Sequence, residues 1–225
     1  MSDYYYTQKK EFKRVGSPKL KICGMHLNIS EVASLTPDYL GFIFWTPSKR
    51  CFNGKMPELQ HSIKKVGVFV NESLQEILYK IQDYNLLGIQ LHGKESPEFC
   101  KELQEKAKGI EIIKVFSIKN EFNFEVLKDF EEVCDFFLFD TKGKEKGGNG
   151  YTFDWSVLKN YSSSTPFILS GGIGLEEIDS VLSFLKQPDS KYLYAIDVNS
   201  KFEIEPGLKN TEQLKKFKNL LSIGC

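Results

Sequence analysis

The chain has 225 residues, 41% of them apolar, and its 30 basic side chains balance 30 acidic ones. A formal charge of zero provides no field to draw in nucleic acid or a membrane surface, so neither is expected as a partner. The five cysteines, Cys23, Cys51, Cys100, Cys134 and Cys225, form no C-x-x-C pair and no His-spaced set, which argues against a disulfide framework or a zinc site and for a reducing, cytoplasmic compartment.

The N-terminal stretch M-S-D-Y-Y-Y-T-Q-K-K-E-F-K-R lacks the apolar segment of a signal peptide. Nor does any segment approach the roughly 20 apolar residues of a membrane span. Residues 1–18 are therefore expected to be a poorly ordered polar extension, and residues 19–225 a single domain.

Leu20 to Cys23 reads as a first strand ending at Gly24, with Leu20 and Ile22 on one face and Lys21 and Cys23 on the other. A short helical signal follows, capped by Asn28 or Ser30 and stopped at Pro37. Tyr39 to Trp45 is the second strand, followed by the loop T-P-S-K-R-C-F-N-G. Val66 to Val70 is the third, leading into a helix with Leu74, Ile77, Leu78 and Ile81 on its apolar face. Leu87 to Leu91 is the fourth, and Ser96-Pro97 opens the helix after it. Glu111 to Phe116 is the fifth.

The sixth strand is the apolar run from Phe136 that ends on Asp140. A Gly- and Lys-rich loop follows, and Asp154-Trp155 opens the next helix. Pro166 to Leu169, leading into S-G-G-I-G, is the seventh strand, and Leu193 to Val198, leading into N-S-K, is the eighth. A last helix starts near Thr211. Eight strands, with helical patterns between most of them, imply parallel βα units and hence an α/β chain folded as a (β/α)₈ TIM barrel. An open dinucleotide-binding sheet is the alternative, but no G-x-G-x-x-G follows the first strand.

In such barrels the chemistry sits where the strands end at their C-terminal side. That rule selects Cys23, Arg50, His92, Asp140, Ser170 with Gly171 and Gly172, and Asp197 with Ser200. Burial of Asp140 on one side would raise its pKa and prepare it as a general acid; the other reading is a helix-capping or ion-paired Asp. Gly171 and Gly172 let the backbone approach an anion, and Ser200 adds a hydroxyl, so the last two loops read as a phosphate site. Cys23 is either a base or an inert buried thiol. Arg50 reads as a carboxylate clamp or a solvated turn, and His92 as a site residue or a helix cap.

Taken in order, K-I-C-G at 21–24, G-F-I-F at 41–44 with S-K-R at 48–50, V-G-V-F-V-N at 66–71 and Q-L-H-G at 90–93 resemble the phosphoribosylanthranilate isomerase family. F-D-T with G-G-N-G-Y-T-F-D-W at 139–155, S-G-G-I at 170–173, D-V-N-S at 197–200 and E-P-G at 205–207 extend that resemblance. The resemblance implies a cofactor- and metal-free Amadori rearrangement of a small-molecule substrate, in a monomer or homodimer. It implies Asp140 as general acid, Cys23 as general base, Arg50 on the anthranilate carboxylate, and the last two loops on the phosphate. Two alternatives remain: another sugar-phosphate isomerase on the same barrel, and a non-catalytic phosphate-binding barrel. Lys201 departs from the family's usual Gly, which puts a left-handed backbone there in question.

Overall fold

Parallel strands with one apolar face toward helices and a second toward one another can close into a barrel, and this chain does so. The computed structural model describes residue 14 and residues 16–119, 121–141, 152 and 154–223. Most of the polar extension, and the Gly- and Lys-rich loop over 142–151, lie outside the described residues. Eight parallel strands follow in chain order: β1 Lys19–Ile22, β2 Tyr39–Ile43, β3 Lys64–Phe69, β4 Gly88–Leu91, β5 Glu111–Ile118, β6 Phe136–Thr141, β7 Phe167–Leu169 and β8 Leu193–Val198. The barrel closes where Leu20 of β1 pairs with Ile196 of β8.

Alternation along the strands produces two cores. Tyr39, Val66, Ile113, Val115, Phe136, Leu138, Ile168 and Ala195 fill the lumen. Their sequence neighbours, among them Leu20, Ile22, Leu40, Phe137 and Phe139, face outward into a larger core under the helices. Lys21 takes a lumen position, as the predicted alternation requires, and is completely buried. The helices are α1 Ile29–Ala33, α2 Leu74–Tyr84, α3 Pro97–Lys106, α4 Ile178–Leu185 and α5 Thr211–Ile223. Ser73 and Ser96 cap α2 and α3 by accepting from the N–H groups of Glu76 and Phe99, and Pro97 begins α3 as the sequence predicts.

The wrapping is less regular than strict strand–helix alternation. After β5 and β6 the helices are 3₁₀ turns, Phe124–Phe130 and Trp155–Asn160, rather than α-helices. Asp154 caps the second turn by accepting from Ser156 N–H. No helix lies between β2 and β3. Instead, Cys51 bridges back to Ile43, and Phe52 buries its ring against Phe42 and Tyr84. A further departure follows β8, where the expected loop holds a hairpin of β9 Glu203–Glu205 and β10 Leu208–Lys209. Pro206-Gly207 makes its turn, with Gly207 at φ +88°. Ahead of β1, Arg14 reaches the carbonyl of Leu185 and the Ser190 hydroxyl, so this part of the extension is tied to the barrel.

Candidate active site

The strand ends converge on a cavity of about 760 Å³, counting the space at its open mouth. Cys23, Arg50, His92, Asp140, Ser170, Gly171, Gly172, Asp197 and Ser200 all line it, so every predicted site residue is brought to one place. Ile43, Trp45, Val68, Val70 and Leu138 form apolar wall on the β2, β3 and β6 sides.

Cys23 directly follows β1, with its N–H bonded to the carbonyl of Val198. Its thiol is 4% exposed, and burial pushes its pKa up. The ammonium groups of Lys21 and Lys209 oppose that shift, and Asp197 adds to it. Gly41 on the next strand makes room, since a Cβ there would sit 2.8 Å from the Cys23 sulfur. Lys21 was not among the predicted site residues, yet it lies beside Cys23. Its Nζ donates to Asp197 Oδ1 at 2.8 Å, with both side chains buried. Burial alone would lower its pKa, but Asp197 and the Cys23 sulfur outweigh that and hold the ammonium above its usual value. The other oxygen of Asp197 accepts from the Ser170 hydroxyl at 3.1 Å, so Asp197 ties β1, β7 and β8 together.

Asp140 ends the run from Phe136 with its side chain toward the lumen. Its Oδ1 accepts from Thr141 N–H at 2.9 Å, while Oδ2 lies 3.5 Å from His92 Nε2. His92 thus lines the cavity beside Asp140, rather than only capping α3. Gly171 has φ +89°, and a Cβ there would come within 2.7 Å of Asp140 Oδ1. Glycine is therefore needed both for the backbone and for the space of the Asp140 carboxylate.

The β7 loop turns at Gly171 and Gly172, both at positive φ, and meets the β8 loop where Gly174 packs on Lys201. Ser200 opens a 3₁₀ turn, Ser200–Phe202. Lys201 lies inside that turn and keeps a right-handed backbone, which resolves the question raised by its replacement of Gly. Its ammonium is 3.9 Å from Glu176 and 4.0 Å from Glu177.

Arg50 is held in the mouth by Glu203 of β9. Nε donates to both carboxylate oxygens, at 2.8 and 2.9 Å, and Nη2 donates to Oε2 at 2.6 Å. Glu203 also accepts from Lys209 Nζ at 2.8 Å and from Gly207 N–H at 3.1 Å. Burial would raise the Glu203 pKa, but the Arg50 and Lys209 cations hold it below the usual carboxylate range. Lys209 is itself fully buried, and burial lowers its pKa despite Glu203. Sequence reasoning missed this hairpin, although E-I-E-P-G-L-K carries its signal: alternation interrupted by a Pro-Gly turn.

A profile of the N-(5′-phosphoribosyl)anthranilate (PRA) isomerase family matches residues 20–219. The chain belongs to that family. The PRA isomerase of Parabacteroides distasonis is 44% identical over 207 residues, covering 88% of this chain and 90% of that protein. The crystal structure of the Thermotoga maritima PRA isomerase is 31% identical and superposes with a TM-score of 0.75, covering 92% of this chain and all of the other. A family structure in complex with reduced 1-(o-carboxyphenylamino)-1-deoxyribulose 5-phosphate is 28% identical, with a TM-score of 0.71 and coverage of 92% and 100%. This chain is accordingly a PRA isomerase of tryptophan biosynthesis. It converts N-(5′-phosphoribosyl)anthranilate to 1-(2-carboxyphenylamino)-1-deoxyribulose 5-phosphate.

Proposed function

We propose that the isomerisation runs by proton transfer between Asp140 and Cys23, with the two charged ends of the substrate fixed on opposite sides of the cavity. Asp140 protonates the furanose ring oxygen, and the ring opens to a Schiff base. The Cys23 thiolate then removes the C2′ proton, giving an enolamine that tautomerises to the ketone. The hydrogen lost at C2′ is balanced by one gained at C1′, so the reaction is redox-neutral and its balance requires no cofactor. Each group is worth about 10²–10⁴ in rate. The observation that carries this reading is the presence in one cavity of the buried Cys23 thiol and the Asp140 carboxylate, the latter free, among the described residues, of the lysine ion pair that holds Asp197.

Arg50 holds the anthranilate carboxylate, with the ring against Trp45, Val68 and Val70. The phosphate lies at Gly171, Gly172 and Ser200, and Lys201 adds charge there. Fixing both ends holds C2′ between base and acid. Cys23, Cys51 and Cys100 carry free thiols, which supports a cytoplasmic enzyme. Among the described residues no helix is long and apolar enough to cross a membrane. A monomer or homodimer fits the relatives, of which the Thermotoga maritima enzyme is dimeric and has also been solved as monomers.

The test is turnover of phosphoribosylanthranilate, generated in situ and followed by loss of anthranilate fluorescence. Cys23→Ala and Asp140→Asn should each lose at least about 100-fold in kcat while keeping the wild-type melting profile. Near wild-type turnover in either variant would remove that residue from its role.

A further inference from the structure

Gln90 places a carboxamide where the surrounding wall is apolar. It sits on β4 between Val68 of β3 and Ile113 of β5, facing the lumen, and it lines the active-site cavity. The residue is 2% exposed, and its Oε1 finds no hydrogen-bond partner among the described residues. A buried acceptor left unmade costs free energy in the free protein, so such a group calls for an explanation. Other polar side chains in this part of the lumen are satisfied: Lys21 by Asp197, and Asp197 by Lys21 and Ser170.

We infer that Gln90 is a substrate-contacting residue whose Oε1 accepts a hydrogen bond from the uncharged middle of the substrate, an O–H of the sugar or the arylamine N–H. The inference rests on the cavity being the phosphoribosylanthranilate site. Neither charged end can satisfy Oε1, because the carboxylate and the ionised phosphate oxygens are themselves acceptors. The middle of the substrate carries the remaining donors, and it must lie between Cys23 and Asp140 for the chemistry to occur. Gln90 is then preorganised, because its place on β4 and its burial hold the side chain at the cavity before the substrate arrives.

Gln90→Met keeps length and apolar volume while removing the acceptor. A residue that is satisfied in the free protein would destabilise the fold when so changed, whereas an unsatisfied one would not. The expected result is kcat/KM lower by about 10- to 100-fold, with a melting temperature equal to or above wild type. The reduced product analogue should bind correspondingly more weakly. Ribose 5-phosphate and anthranilate serve as fragment probes. Weaker ribose 5-phosphate binding assigns the contact to a hydroxyl, and weaker anthranilate binding assigns it to the N–H. Unchanged kcat/KM, a clearly lowered melting temperature, or unaltered binding of both fragments overturns the inference. Gln90→Leu repeats the test should Gln90→Met fail to fold. An inactive but folded wild type would instead sink the acid–base reading of the site, a failure distinct from this one.

Discussion

Replacing Glu203 by Gln removes one negative charge from a cluster in which two cations depend on it. Glu203 accepts from Arg50 through Nε and Nη2, from Lys209 and from the Gly207 amide. The side chains of Glu203 and Lys209 are 5% and 0% exposed, so the Lys209 ammonium loses its counter-charge in a place water does not reach. Among the described residues its other hydrogen-bond partner is the neutral Asn199 Oδ1, at 2.6 Å. Breaking a buried pair from one side costs about 3–5 kcal/mol. Arg50 is 18% exposed and regains some hydration, so the lower end of that range applies, about 3 kcal/mol. For a domain of this size that shifts the melting temperature down by roughly 6–12 °C. Activity responds separately, because Arg50 loses the brace that fixes it at the cavity mouth. A lost charge-assisted hydrogen bond, worth about 1.5–3 kcal/mol, predicts a KM raised roughly 10- to 100-fold. The assay is thermal melting by circular dichroism together with steady-state kinetics on Glu203→Gln, Lys209→Met and the double variant. Removing both partners should restore much of the stability lost in Glu203→Gln, since no unpaired charge then stays buried. A single variant melting within about 2 °C of wild type, or a double variant melting no higher than Glu203→Gln, would refute the reasoning.

The pH dependence follows from Cys23. In the proposed acid–base mechanism the active form carries one proton across Asp140 and Cys23, and at high pH that proton is lost as the thiol ionises. Burial raises the thiol's pKa, so the alkaline limb of kcat/KM should lie above the ordinary thiol value of about 8.5; a limb at or below about pH 8 would contradict this. Between the ordinary and the raised pKa the folded state binds more protons than the unfolded one, so the Cys23 contribution to stability falls as pH rises through that window. Gly171→Ala should lower kcat at least about tenfold, because its Cβ would crowd the Asp140 carboxylate and its φ of +89° disfavours any Cβ. Wild-type kcat in that variant would show that the loop can move away without disturbing the acid.

The period-two alternation and spacing of the strands made the barrel legible in the sequence, because a strand's two faces are written directly into its residues. Strand ends named the nine residues now seen to line one cavity, since in this fold the chain must bring those ends together. Motifs such as K-I-C-G and S-G-G-I pointed to the family, and the match over residues 20–219 agrees with them. Helix type was less readable: the segments at 124–130 and 155–160 are 3₁₀ turns, because packing under a short crossover overrides local propensity. What only the tertiary structure decided is which charges meet. Lys21 and Asp197 are 176 residues apart, and Arg50 and Glu203 are 153 apart. Alternation puts Lys21 on the face of Cys23, but nothing local names Asp197 as the partner it meets there. Closing the barrel selects it, because burial forces each charge to find its partner from a distant strand.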